Sequence, residues 1–171
     1  MIEISTVDII VRMTVATVLS GLIGIEREWH EKPAGIRTNV MVGLGACLIA
    51  LASVQIPNLW PDIRPIDPGR IAAQIISGIG FIGAGAILRS DRGAIVGLTT
   101  AATLWVVAGL GMTIGFGFYV EAIVATALVF FTFIVLGQVV KRIRYTTRHG
   151  DGHQVGESSA HTEGRSAGEN E

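Results

Sequence analysis

Ile71-Ala-Ala-Gln-Ile-Ile-Ser-Gly-Ile-Gly-Phe-Ile-Gly-Ala-Gly-Ala-Ile-Leu88 is a run of eighteen residues without a charge, and its reading decides the fold. Gly78-Ile-Gly80-Phe-Ile-Gly83 matches a dinucleotide-binding glycine pattern letter for letter. That pattern holds a pyrophosphate only after a strand and at the opening of a helix, with an acidic residue about 20 positions on. Here it lies in mid-run, Asp91 is the only acid nearby, and phosphates would have to enter hydrocarbon. The run is instead long enough for a membrane-spanning helix, which needs roughly 17–25 apolar residues.

On a helical wheel Ala72, Ala73, Ser77, Gly80, Gly83 and Ala84 gather on one side, while Ile71, Ile75, Ile79 and Ile82 cover much of the other. Faces of small residues let membrane helices approach closely. Gly78 and Gly85 notch the bulky side as well. The pattern predicts that this third span is the innermost helix of a bundle, with Gly78, Gly80, Gly83 and Gly85 as packing positions. Gly111-Met-Thr-Ile-Gly115 repeats the small-residue spacing more weakly, close to a loop.

Working outward, Asn39–Ile56, Leu98–Ile114 and Ala122–Val140 are also uncharged, and Ile9–Ile25 is interrupted only by Arg12. A long arginine near a helix end reaches the interface, so that block still suits a span. Gly93 to Val120 carries no charge; we place the break between the last two spans at Gly111, Gly115, Gly117 and Glu121. The expected fold is therefore all-α: a polytopic transmembrane bundle of about five spans over residues 1–140. Residues 141–171 follow as a basic juxtamembrane segment, Lys141–Arg148, and a Gly-, Ser-, Glu- and His-rich tail read as disordered. The three tail histidines, His149, His153 and His161, read as solvated, and no cofactor or metal site is assigned.

Half of the 171 residues are hydrophobic and 16% are charged, against roughly 25% in soluble domains. The net charge of −1 excludes the basic stripe of a nucleic-acid binder. Glu3 and Asp8 occupy the region where a cleavable signal carries positive charge, so none is expected. The single cysteine, Cys47, lies in an apolar run and has no intramolecular disulfide partner. With the N-terminus outside, ten basic residues (Arg27, Lys32, Arg37, Arg89, Arg92, Lys141, Arg142, Arg144, Arg148, Arg165) fall inside, against Arg64 and Arg70 outside. This bias sets the N-terminus outside and the C-terminus in the cytoplasm.

Polar residues then segregate to two ends. Asp67-Pro68-Gly69-Arg70 is a helix-start signal, with Asp67 as cap and Pro68 in the first turn. Topology places Asp8, Arg12, Asp67, Arg70 and Glu121 together near the outer face, where partly buried charges need partners, so a charge cluster is expected. Glu26, Arg27, Arg37, Thr38, Asn39, Thr99 and Thr100 fall together on the cytoplasmic side. They form a candidate partner-contact surface, with Thr99 and Thr100 also expected to cap the fourth span.

These motifs carry a resemblance. Gly21-Leu-Ile-Gly24-Ile-Glu26-Arg27-Glu28, Lys32-Pro33-Ala34-Gly35-Ile36-Arg37-Thr38-Asn39, Asp67-Pro68-Gly69-Arg70-Ile-Ala-Ala-Gln74, Ser77-Gly-Ile-Gly-Phe-Ile-Gly-Ala-Gly85 and Gly97-Leu98-Thr99-Thr100-Ala-Ala-Thr103-Leu-Trp105 resemble the MgtC/SapB family of bacterial membrane proteins. The resemblance runs from about Gly21 to Gly117. It implies a multi-pass protein of the bacterial inner membrane, linked to growth in low magnesium and, in pathogens, to survival inside macrophages. It further implies action by binding other membrane proteins, the proton-driven ATP synthase among them, rather than by moving magnesium. Longer members carry a soluble domain resembling ACT regulatory domains where this chain has only its tail. Some have Asn at the position of Thr99 and Cys at that of Val106.

Two functions compete. A regulatory membrane protein would act through helix and loop contacts, in the bilayer and with another membrane protein; pairing with its own copy stays open. A magnesium or other cation transporter needs hard oxygen ligands, typically carboxylates with retained water. None of the five blocks holds Asp or Glu near its centre; Gln74, Ser77 and Thr103 are polar groups at useful depth, and none is a carboxylate. Transport is therefore the second reading. No set of nucleophile, base and orienting group points to an enzyme.

Overall fold

A computed structural model describes residues 4–59, 67–89 and 94–138. Arg64, Arg92, the basic segment from Lys141 and the histidine-bearing tail lie outside the described residues. Within them the chain is helical, as its uncharged blocks predict. Helix α1 spans Thr6–Trp29, α2 Ile36–Leu59, α3 Pro68–Ala86, α4 Leu98–Gly115 and α5 Tyr119–Phe131, which continues into a π-helical turn, Thr132–Leu136. Four helices are long and apolar enough to cross a membrane, and Tyr119–Val135 is a shorter apolar helix. Two compact units divide the chain at Val129/Phe130. The first holds α1 to α4 and most of α5; in the second, the described residues are the end of α5, the π-helical turn and the two residues after it.

Local chemistry sets the boundaries. Ser5 and Asp8 form a reciprocal capping box at the start of α1. Helix α1 ends in a Schellman pattern, with Lys32 N–H donating to Arg27 O (3.0 Å) and Glu31 N–H to Glu28 O (3.0 Å). Its left-handed position is Glu31, at φ 53°. Asp67 caps α3, accepting from Gly69 N–H at 2.8 Å, as the Asp-Pro pair foretells.

Between α3 and α4 the chain makes a short antiparallel hairpin, β1 (Leu88–Arg89) with β2 (Ile95–Val96), that the sequence does not announce. Gly97 leaves the hairpin at φ 92°, and a Cβ there would overlap Ala86 O. That glycine starts α4 without a side-chain cap. The capping role expected of Thr99 and Thr100 is thus not taken up, because the turn is already made one residue before the helix. The break before α5 falls where the glycine cluster puts it. Phe118 N–H donates to Thr113 O (3.0 Å) and Gly117 N–H to Ile114 O (2.8 Å), with Gly117 at φ 93°.

Packing departs from expectation. Helices α2 and α4 form the central pair, α1 packs against both, and α3 lies against α4 and part of α2. Half of the apolar window of α4 is buried, but only 6% of that of α3. The third span is therefore not the innermost. The innermost contact is glycine against glycine on other helices: a Cβ on Gly111 would strike Gly43 O, and one on Gly115 would lie 2.6 Å from Ala50 Cβ and 2.7 Å from Cys47 O. Ser20 of α1 closes the same layer against Gly43. Ile23, Cys47, Leu51, Leu104, Val107 and Ile114 fill the space around it.

Candidate functional site

Because Gly43 faces Gly111 and Cys47 faces Gly115, α2 and α4 run parallel, and their N-termini share one end of the bundle. Helix α1 arrives at that end with its C-terminus. The crossing is close: a Cβ on Gly24 would sit 2.6 Å from Ile36 Cα and 3.2 Å from Asn39 Cβ. This is the end assigned to the cytoplasm by its basic residues.

Its base is buried. Arg27 is 6% exposed and pairs with the carboxylate of Glu26, whose Oε1 also lies 3.1 Å from His30 Nδ1. Asn39 is fully buried; its Nδ2 donates to Ala34 O (2.9 Å) and Gly35 O (2.8 Å), pinning the loop that leads into α2. Its Oδ1 has no partner among the described residues. Thr100 is buried at 3% exposure, and Thr99 O accepts from Thr103 Oγ1 at 2.8 Å. Above this base Arg37, Thr38 and Thr99 are exposed. The seven candidates thus divide into four that are buried or nearly so (Glu26, Arg27, Asn39, Thr100) and three that are exposed.

Glu28 is the residue that candidate selection missed. Its Oε2 accepts from Ile36 N–H at 2.8 Å, capping α2 from eight residues away and resting against Gly35. A carboxylate at a helix N-terminus also meets the favourable end of the dipole. The signal available in the sequence is an acid at the end of α1, five residues before the Pro33-Ala34-Gly35 turn.

At the opposite end the expected charge cluster does not assemble. Arg12 reaches across the bundle and donates from Nη1 to Gly115 O at 2.7 Å, with Nη2 against Gly117. Asp8 is engaged by Ser5 and Asp67 by Gly69; Arg70 and Glu121 are exposed. Among the described residues no ion pair joins any of the five. The physical reason is that the last carbonyls of a helix are unmet acceptors. An arginine beside them satisfies one, while each acid already has a backbone donor or solvent.

Among the described residues the packing role expected of the α3 glycines is taken up only at Gly83. A Cβ on Gly83 would be 3.7 Å from Ala101 Cβ, whereas Gly78, Gly80 and Gly85 have nothing within 4 Å of that position.

A bundle of apolar helices, with a Glu–Arg pair at one end of α1 and an arginine-capped helix at the other, defines a polytopic α-helical membrane protein. The chain belongs to the MgtC family, whose model matches residues 13–142. It is 41% identical over 138 residues to the protein SapB of Bacillus subtilis, covering 80% of this chain and 60% of that one. It is 43% identical over 134 residues to the protein MgtC of Salmonella typhimurium, covering 78% and 54%. A protein of Escherichia coli named putative magnesium transporter YhiD is 40% identical over 146 residues, covering 84% and 67%. The chain thus spans about 60% of SapB and about half of MgtC. No solved structure matches it significantly.

Proposed function

We propose that this protein acts in the bacterial inner membrane by contacting another membrane protein through its cytoplasmic end, and thereby supports growth when magnesium is scarce. The link to magnesium comes from the family. The observation that carries the contact reading is how the polar groups of the bundle are spent. Thr17, Thr103, Thr113 and Thr126 each donate to the carbonyl four residues back at 2.7–2.8 Å, and Ser53 donates to Ala50 O at 2.7 Å. Hydroxyls back-bonded to their own helix have spent their donor within it. No Asp or Glu stands in mid-span to replace the water of a hard cation. The exposed Arg37, Thr38 and Thr99, standing on a rigid buried base, are instead the arrangement of a docking surface. Its arginine is suited to bidentate recognition of a carboxylate.

The second reading, cation transport, is favoured by the name of the Escherichia coli relative, and one pair of measurements separates the two. Purified protein is reconstituted into vesicles loaded with a magnesium-sensitive dye, and Arg37→Ala and Thr99→Ala are tested for growth in low magnesium. The contact reading expects no uptake above empty vesicles. It also expects loss of growth for variants that insert at normal levels. Uptake abolished by Gln74→Ala would overturn it in favour of transport.

A further inference from the structure

We propose that two copies of this chain pair in the membrane through the open side of α3. Gln74 of each copy then bonds its counterpart across a two-fold axis, and Phe81 of each seats between Gly78 and Gly85 of the other. The proposal is independent of the cytoplasmic docking surface.

Ile71, Gln74, Gly78, Phe81 and Gly85 recur at alternating steps of three and four, which is the seam of a left-handed helix pair. Among the described residues this seam has little to pack on. Phe81 is 84% exposed, Gln74, Gly78 and Gly85 are exposed, and no atom lies within 4 Å of a Cβ position on either glycine. Alongside runs a groove of about 420 Å³ between α2 and α3, walled by Met41, Gly45, Ile49, Ile75, Gly78 and Ile82.

Gln74 decides what covers this side. It lies two turns into a spanning helix, and its amide makes no hydrogen bond among the described residues. An amide facing hydrocarbon without a partner is costly, and an acyl chain offers it none. A protein helix does, and a second copy of this one fits by its own symmetry. Copies inserted the same way present their α3 helices in parallel, with equal residues at equal depth. A glutamine amide both donates and accepts, so two of them satisfy each other. Read as a heptad, Ile71, Gly78 and Gly85 take the first core position, and Gln74 and Phe81 the second. The hole awaiting Phe81 is then bounded by Gly78, Phe81, Ile82 and Gly85 of the partner helix, and the two glycines make it wide enough for a phenyl ring.

The test uses the full chain with Cys47→Ala, carrying one new cysteine. In native membranes under mild oxidation, Phe81→Cys is expected to form a disulfide-linked dimer. Ile76→Cys, on the opposite side of α3 and 42% exposed, should do so about tenfold less. Single-molecule photobleaching in vesicles then gives the association constant. Gly78→Ile begins its side chain in open space among the described residues and is expected to lower that constant about tenfold or more, and Gln74→Leu about three- to tenfold. One-step bleaching at every protein-to-lipid ratio would overturn the proposal, leaving lipid alone on this side. So would equal cross-linking from positions 76 and 81, or a dimer indifferent to Gly78→Ile.

Discussion

Two sets of glycines in this chain look alike on paper and differ in space. Gly78, Gly80, Gly83 and Gly85 crowd one span and advertise close packing, yet three of the four have no neighbour within 4 Å of where a side chain would begin. Gly43, Gly111 and Gly115 are scattered over two spans, and there a single added carbon would collide with backbone or with Ser20. A smooth helix face permits close approach without requiring it, and whether it is used depends on the partner that topology delivers. Density of small residues therefore marks an available surface. Necessity is set by the opposing atom.

The largest expected effect lies on that contrast. Gly111→Ala places a methyl group into Gly43 O, which belongs to backbone and cannot rotate away. Overpacking of this kind costs about 1–3 kcal/mol or more, a large share of a typical fold's stability. Gly80→Ala, one carbon added to the denser set, should change stability by no more than about 0.5 kcal/mol, because surface substitutions usually do. Reversible unfolding of both variants in mixed detergent micelles, with the unsubstituted chain beside them, measures the difference. Equal losses from the two would erase the distinction between the sets within a single chain.

A polar counterpart sharpens the same comparison. Arg12, expected in an outer charge cluster, instead donates to Gly115 O and links α1 to the end of α4, across 103 residues of sequence. Hydrogen bonds from charged donors contribute about 1.5–3 kcal/mol, so Arg12→Leu should lower stability by about that much. Arg12→Lys, keeping the charge on a shorter head, should recover part of it. The exposed Arg70, changed to Leu, should cost far less. If Arg70→Leu proved the more damaging, the charge cluster would have to be reinstated and the carbonyl contact demoted.

Which parts of this were legible follows from how far each signal reaches along the chain. The spans could be read because hydrocarbon thickness imposes a length on any uncharged block. The cap at Asp67 and the turn at Gly117 could be read because their donors and acceptors lie within a few residues. The partner of Arg12, the meeting of Gly43 with Gly111 and the reach of Glu28 to Ile36 N–H could not, because each depends on which helix lies beside which. The β1–β2 hairpin escaped notice for a different reason: two residues per strand are too few to show any alternation. In the candidate site the residue types were legible, but their division into a buried base and an exposed rim was not. Glu26, Asn39 and Arg37 are equally polar in sequence, and only packing separates them.

The smallest effect runs the comparison in reverse, at a position where glycine is absent and the backbone asks for it. Glu31 closes α1 at φ 53°, in the left-handed region that L-residues other than Asn and Asp seldom enter, and its N–H completes the Schellman pattern to Glu28 O. Holding a side chain there costs about 1–2 kcal/mol relative to glycine, less whatever the freer unfolded chain gains. The Glu31 carboxylate has no hydrogen bond or ion pair among the described residues, and the side chain is exposed, so its removal should sacrifice little. Glu31→Gly is therefore expected to stabilise the fold by about 0.5–1 kcal/mol, read as a rise in the unfolding midpoint with unchanged slope. Glu31→Asn should fall between the two, because asparagine tolerates this conformation better than glutamate does. A loss of stability on Glu31→Gly would mean that the carboxylate, not the turn, is what this position supplies. The end where α1 meets α2 would then owe its order to charge at Glu31 as well as at Glu26 and Glu28.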